Sequence, residues 1–316
     1  MTKDIPEDDF NEAEFFQPVP KTAGVPSSNP LAGYFRMPGL HITLPTRGAF
    51  LPPEDYDPTL AGDVPVFPMK AADELLLRSP DALMSGLALE ELVRSCVPAI
   101  RRPRLVSTPD LDVILLAIRA STYGENMEIE VVCPNCTHEN AFDCHLPSMM
   151  ANMTFVDPIN EVRLTDDIVV SLRPYTLEVA TKVAMESFGE ARKLQGIAEE
   201  VVELFDGTPE ERAMAEKRMA DARNESFVKM SKLNIDAVAS CVISVSIPSG
   251  LVTDKANILE FINNTSQTWV KKIEDKLAEI NGAGINKKLD VQCTKCEHEW
   301  TTEVEFDPTS FFGNGS

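Results

Sequence analysis

The sequence predicts an α+β fold, and three patterns carry that prediction. Short segments show strict apolar alternation. Longer stretches are rich in helix-forming residues with apolar faces at helical spacing. A strand–Cys-x-x-Cys–strand unit occurs twice, as MEIEVVCPNCTHENAFDCHL near residue 130 and KKLDVQCTKCEHEWTTEVEF near residue 295.

Read from the start, residues 1–36 hold six acidic side chains in their first twenty against Lys3 alone, together with several prolines. Such a segment cannot bury enough apolar surface to offset its ordering entropy, so it is expected to be a flexible acidic arm. Phe15 and Phe16, with Phe10, sit among Asp8, Asp9, Glu12 and Glu14, an acidic-aromatic pattern suited to ordering against a partner. Leu40, Ile42 and Leu44 alternate with the period of a half-buried strand, and Pro45 to Phe50 form the turn that ends it. Ser79-Pro80-Asp81 and Thr108-Pro109-Asp110 each put a capping hydroxyl before a proline and an acid in the first turn, so each starts a helix. Leu83, Leu87, Leu92 and Cys96 mark the buried face of the first. Leu111, Ile114, Leu115 and Ile118 mark that of the second.

Met127 to Val132 and Asn140 to Leu146 read as two strands joined by a tight turn at Cys133 to Cys136. Glu161 to Arg173 reads as a further strand pair, and Pro174 closes it. A helical stretch runs from Thr176 to Ser246, broken at Asp206-Gly207-Thr208-Pro209, with further helices from Lys255 to Asn264 and Gln267 to Asn281. Alternation returns at Leu289 and Val291. The organisation expected is an arm at 1–36, an α+β core at 37–175 plus 285–313, a helical insertion at 176–284 and a tail at 314–316.

The cysteines carry the chemistry. Each Cys-x-x-Cys lets two thiolates converge on one ion, and two such knuckles supply the tetrahedral sulfur set that structural zinc prefers. Cys133, Cys136, Cys293 and Cys296 are therefore the expected ligands of one Zn2+ shared between segments about 156 residues apart. The spacing leaves two other arrangements open: two separate metal sites with added ligands, and a thiol pair without metal. A redox role would need a Cys-x-x-Cys at a helix N-terminus, whereas these lie between strands. Catalytic zinc is disfavoured because four thiolates leave no position for a reactive water. His138 and His298 follow their knuckles so closely that a turn-stabilising or supporting role is expected rather than ligation. Cys96, Cys144 and Cys241 read as ordinary buried thiols. The fold class is thus α+β, with zinc-ribbon-like β-ribbons clamped by one four-Cys zinc site, a helical pair and a larger inserted helical region.

Composition narrows the function. Fifty acidic against twenty-nine basic side chains give a net charge of −21, which repels phosphate backbones and disfavours nucleic acid as a partner. The longest apolar runs fall far short of the roughly 20 residues of a membrane span. The first residues lack a secretory signal's basic and apolar regions, so the chain is expected in the cytoplasm, where disulfides are disfavoured. Gly-rich phosphate loops, nucleophile elbows and HExxH helices are missing from the sequence, and the carboxylates around Glu199, Glu203 and Glu210 read as a solvated face, so an enzyme is not expected. After Asp307-Pro308, Phe311 and Phe312, with Phe306, read as an exposed aromatic anchor for a partner, the alternative being packing on the chain's own helices.

The order LPTRGAFL at 44–51, the helical pair, LLAIRASTYGENMEIEVVCPNC at 115–136 and CTKCEHEWTTEVEFDPTSFFG at 293–313 resembles the baseplate hub protein family of T-even-type contractile-tail bacteriophages. The resemblance is strongest over residues 38–175 and 285–313, and weak through the helices between them and the arm. It implies a non-enzymatic structural or assembly component of the baseplate, whose partners are other phage tail or baseplate proteins. The implied location is the host cytoplasm during assembly and then the virion tail. Cys133, Cys136, Cys293 and Cys296 fit the knuckle positions. The alternative is a cytoplasmic tail-assembly chaperone absent from the mature virion; a zinc-dependent regulatory module is a third reading.

Overall fold

A long helix buried on nearly every side organises the chain. In the computed structural model, which describes residues 35–203, 208–304 and 311–312, nine of the ten residues from Leu111 to Ala120 on this helix are buried, Asp112 being the exception. In chain order the first elements are β1 (Leu40–Ile42), β2 (Val64–Val66), α1 (Ala71–Leu77), α2 (Pro80–Met84), α3 (Leu87–Cys96) and α4 (Thr108–Tyr123), the long helix itself. Strands β1 and β2 pair antiparallel, with Leu40 opposite Val66. Their inward residues Ile42, Val64 and Val66 join Leu92, Val93, Ile100, Ile114, Leu116 and Ile118 in the first hydrophobic core. Removing such apolar surface from water, at about 25 cal/mol per Å2, is the main stabilising force of this half.

Asp110 fixes the turn after β1 to the start of α4. Its carboxylate accepts from the Thr46 N–H at 2.9 Å, the Thr46 hydroxyl at 2.6 Å and the Ser107 hydroxyl at 2.7 Å. Burial pushes its carboxyl pKa up although these donors oppose the shift. The folded state therefore binds this proton more tightly than the unfolded chain does. Protonation of Asp110 stabilises the fold, and that contribution is lost as pH rises through the raised folded pKa.

Two readings of the helices are corrected here. The helix expected from Ser79 through Cys96 is broken into α2 and α3 by Gly86, whose φ of 72° lies in the left-handed region. A Cβ there would also stand 2.6 Å from the Thr181 hydroxyl, so the break lets a later helix approach closely. The helical reading to Ser246 is also corrected: helix ends at Cys241 and Val242–Ile247 is a strand. The β-branched run Val242, Ile243, Val245 and Ile247 favours extended backbone.

The rest of the chain comprises β3 (Asn126–Val132), β4 (Glu139–His145), α5 (Leu146–Ala151), β5 (Asn160–Arg163), β6 (Val169–Leu172), α6 (Leu177–Glu203) and α7 (Pro209–Cys241). These are followed by β7 (Val242–Ile247), β8 (Gly250–Val252), α8 (Lys255–Asn264), α9 (Gln267–Asn281), β9 (Lys288–Gln292) and β10 (Glu299–Glu303). Strands β5 to β8 form one antiparallel sheet in sequential order. The α6–α7 helical hairpin is therefore inserted between two neighbouring strands, β6 and β7, and the sheet runs across residue 176. Val170, Leu172, Val242 and Val245 pack with Ile258, Ile262, Ile273 and Leu277 of α8 and α9 to make the second core. Within the hairpin, buried Glu190 accepts from the Ser226 hydroxyl at 2.5 Å and pairs with Lys229 at 3.0 Å, which fixes the register of α6 against α7.

Both ends of the described chain dock on the first core. Arg36 donates to the Pro68 and Ser95 carbonyls and packs over the Phe67 ring, so the expected arm gives way to anchored chain by residue 36. Phe15 and Phe16 lie outside the described residues, as do Phe306 and residues 314–316. Phe311 and Phe312, expected as an exposed anchor, are 4% and 6% exposed. The Phe311 carbonyl accepts from buried Arg119, whose guanidinium lies 5.2 Å from the Phe311 ring and 5.6 Å from Tyr123. The apolar wall of α4 gives these rings a dry site within the chain, which is why they are not presented to solvent.

Candidate metal centre

Helix α4 ends at Gly124, and the chain turns directly into β3. Strands β3 and β4 pair antiparallel with Val132 opposite Glu139, so the Cys133-Pro-Asn-Cys136 turn caps one ribbon. Strands β9 and β10 pair in the same way with Gln292 opposite Glu299, and Cys293-Thr-Lys-Cys296 caps the other. The two turns share one geometry. Cys133 N–H donates to the His138 carbonyl at 2.9 Å, as Cys293 N–H does to that of His298. Thr137 N–H donates to the Cys133 carbonyl at 2.9 Å, and Glu297 N–H to the Cys293 carbonyl at 3.0 Å. Thr137 and Glu297 take left-handed φ values of 56° and 58° at equivalent positions, a conformation uncommon outside glycine that the paired hydrogen bonds hold in place.

The knuckles face one another. The four Sγ atoms of Cys133, Cys136, Cys293 and Cys296 lie within 4.8 Å of one another, although the chain between the knuckles contains the whole second core. The contacts across the pair are Cys133 to Cys296 at 3.7 Å and Cys136 to Cys293 at 3.6 Å. Thiolates at the ~2.3 Å of a zinc–sulfur bond would occupy a tetrahedron with edges of about 3.8 Å, so the spacing suits a metal of that size. Cys133 and Cys293 are buried, while Cys136 and Cys296 are half-buried toward the tip.

Proton sharing reflects this crowding. Burial opposes ionisation of Cys293, yet the Cys296 and Lys295 N–H groups and the Cys136 thiol outweigh it and bring its pKa down to about 6. For Cys136 the His138 N–H favours the thiolate, but burial and the thiols of Cys296, Cys293 and Cys133 carry its pKa up to about 12.

Several supporting groups were not legible as site residues. Asn140, 3% exposed, accepts from both the N–H and the hydroxyl of Thr294 at 2.9 Å, which joins the first ribbon to the second knuckle. Its own amide donates to the His138 carbonyl at 3.0 Å. Asn135 donates to Cys296 Sγ at 3.6 Å and the Lys295 N–H to Cys293 Sγ at 3.4 Å. Below the sulfurs, Phe142 meets Trp300 edge to face at 6.5 Å. The only sequence signal for Asn140 is its repeat position, where the second copy has Trp300. Neither His138 nor His298 joins the sulfur cluster; the His298 ring stacks on Trp300 at 6.0 Å. Cys96, Cys144 and Cys241 are buried thiols elsewhere in the fold, and burial raises the pKa of Cys96 and of Cys241 to about 11.

The chain is α+β, and its two distant ribbons bring four thiols close enough together to hold one metal ion. Residues 64–313 match the family described as T4 bacteriophage base plate protein, and the chain belongs to that family. No curated protein and no solved structure matches the chain. The matched span includes α6 to α9, where the sequence resemblance was weak, and leaves out residues 1–63, including LPTRGAFL. Among the described residues, no helix is long and apolar enough to cross a membrane.

Proposed function

We propose that this chain is a non-enzymatic structural component of the baseplate hub, in which one zinc ion held by Cys133, Cys136, Cys293 and Cys296 clamps the two ribbons. Family membership across most of the chain carries the baseplate role. The convergence of the four Sγ atoms carries the metal. Zinc supplies no reaction here. With its shell closed by four thiolates it fixes the distance between ribbons whose own two-stranded pairing is only marginally stable in water. Ordering the long chain between the knuckles is not an obstacle. Each doubling of a loop costs about 0.6 kcal/mol, against roughly 10 to 16 kcal/mol for structural zinc binding in small domains.

Other tail or baseplate proteins are the partners in this reading. The protein folds in the host cytoplasm and remains in the tail baseplate of the particle. Quantitative mass spectrometry of purified particles beside infected-cell lysate tests the assignment. Fixed copy number in particles is the expected result; presence in lysate alone would replace it with the assembly-chaperone reading. Elemental analysis of the purified chain should give one zinc per chain.

A further inference from the structure

The α6–α7 hairpin has two unlike sides. Its helices meet through a seam that includes Ser187, Glu190 and Leu194 on α6 and Ala215, Ala222 and Ser226 on α7, all buried or half-buried. In an antiparallel pair, residues one position before the seam point to one side and residues one position after it point to the other. The first side is charged and satisfied within the hairpin: Lys193 meets Glu225 at 2.8 Å and Lys229 meets Glu186 at 2.7 Å. The second side differs. On α6 it presents Ala184, Phe188, Ala191 and Gln195, none of them charged, and on α7 Glu216, Ala220, Arg223 and Phe227. These residues are exposed, Phe188 to 50% and Phe227 to 73%. Neither Glu216 nor Arg223 has an ion-pair partner among the described residues.

We propose that this second side docks the hairpin of a second copy of the chain, the two packing face to face as a four-helix bundle. Charge selects a copy as the occupant. Glu216 and Arg223 lie seven residues apart on one face of α7, so a two-fold axis across the helices near Ala220 sets each Glu216 against the Arg223 of the other copy. The pair cancels on this face, which therefore adds nothing to the repulsion between two chains of net charge −21. Size matches as well. The same axis sets Ala220 against Ala220, where small side chains let helices approach closely, and lays Phe227 over exposed Ala213, each seven residues from Ala220. From residue 213 to 227 the face is about 22 Å long and about 20 Å across two helices, so two copies cover on the order of 900 Å2, the low end of specific interfaces. A reversible dimer follows rather than a permanent one. The inference uses neither the zinc clamp nor the place in the hub.

Sedimentation equilibrium of the full chain from about 1 to 200 μM tests it, with a dimer dissociation constant on the order of 10 μM expected. Phe227→Ala should weaken association about tenfold or more. Glu216→Arg should also weaken it about tenfold, although it lowers the net negative charge, because each new arginine then faces Arg223. Arg223→Glu should do the same from the other side, and the two changes together should restore association to within about threefold of wild type. Lys232→Glu, on the ion-paired side, should leave it unchanged. The altered side chains are exposed, so circular dichroism and the thermal midpoint should match wild type in each variant. A chain that stays monomeric throughout the range would overturn the proposal, as would a dimer indifferent to Phe227→Ala or a charge exchange that fails to restore it.

Discussion

The two knuckles are copies in sequence and in backbone, yet they stand in different surroundings, and the difference explains how one site forms from two. Each provides two sulfurs, a left-handed residue after its second cysteine and the same pair of turn hydrogen bonds. At the repeat position four residues beyond the second cysteine, the first has Asn140 and the second Trp300. Asn140 reaches across to the backbone of the other knuckle, while Trp300 packs between His298 and Phe142. Two identical knuckles would supply ligands without specifying each other. The asymmetric pair supplies a polar latch near the sulfurs and an aromatic contact below them, and so fixes which faces meet.

The largest effect should come from breaking what the knuckles share. Cys133→Ser and Cys293→Ser each remove one ligand and open the closed shell, so each is expected to lose the same single zinc and loosen both ribbons. A stability loss of more than about 3 kcal/mol is expected for either, because structural metal binding is coupled to folding. Metal analysis with amide exchange over β3–β4 and β9–β10 decides it. Retention of half the metal by one variant would mean two independent sites.

A smaller effect separates the copies. Asn140→Ala removes the acceptor for the Thr294 N–H and hydroxyl and leaves a partly buried donor unpaired, which costs about 2 to 3 kcal/mol. The zinc should remain at one per chain, since all four thiols are intact. Thermal unfolding and metal content measured together test this. Loss of metal with Asn140→Ala would show that the latch forms the site rather than orienting it.

The same contrast shows what sequence can carry. Cys-x-x-Cys spacing and strand alternation are local, so the four sulfurs and both ribbons could be read from short windows. Asn140 could not, because its role lies in a contact 154 residues away. The break at Gly86 has the same character: the glycine is visible, but the reason for it is Thr181 on a distant helix. For Phe311 and Phe312 the sequence leaves two readings open, an anchor exposed after Asp307-Pro308 in a Gly-rich tail or packing on the chain's own helices, and the apolar face of α4 with the guanidinium of Arg119 decides for burial. At Val242 a helix passes straight into a strand with no glycine or proline between them, so the β-branched run that follows is the one local mark of the change.

The smallest expected effect distinguishes the histidines. Both follow their knuckles by two residues, and both use a backbone carbonyl to close the turn, a contact that survives side-chain replacement. His138→Ala should therefore change stability by no more than about 0.5 kcal/mol, as for an ordinary surface change. His298→Ala also removes the ring stacked on Trp300 at 6.0 Å and should cost about 0.5 to 1 kcal/mol more. Neither substitution should alter zinc content, because neither ring belongs to the sulfur cluster. Zinc content and chemical unfolding of both variants provide the measurement. A zinc lost with either histidine would make that imidazole a ligand and move the site from four sulfurs to a mixed set. Equal costs for the two would remove the Trp300 stack as the source of the difference between the copies.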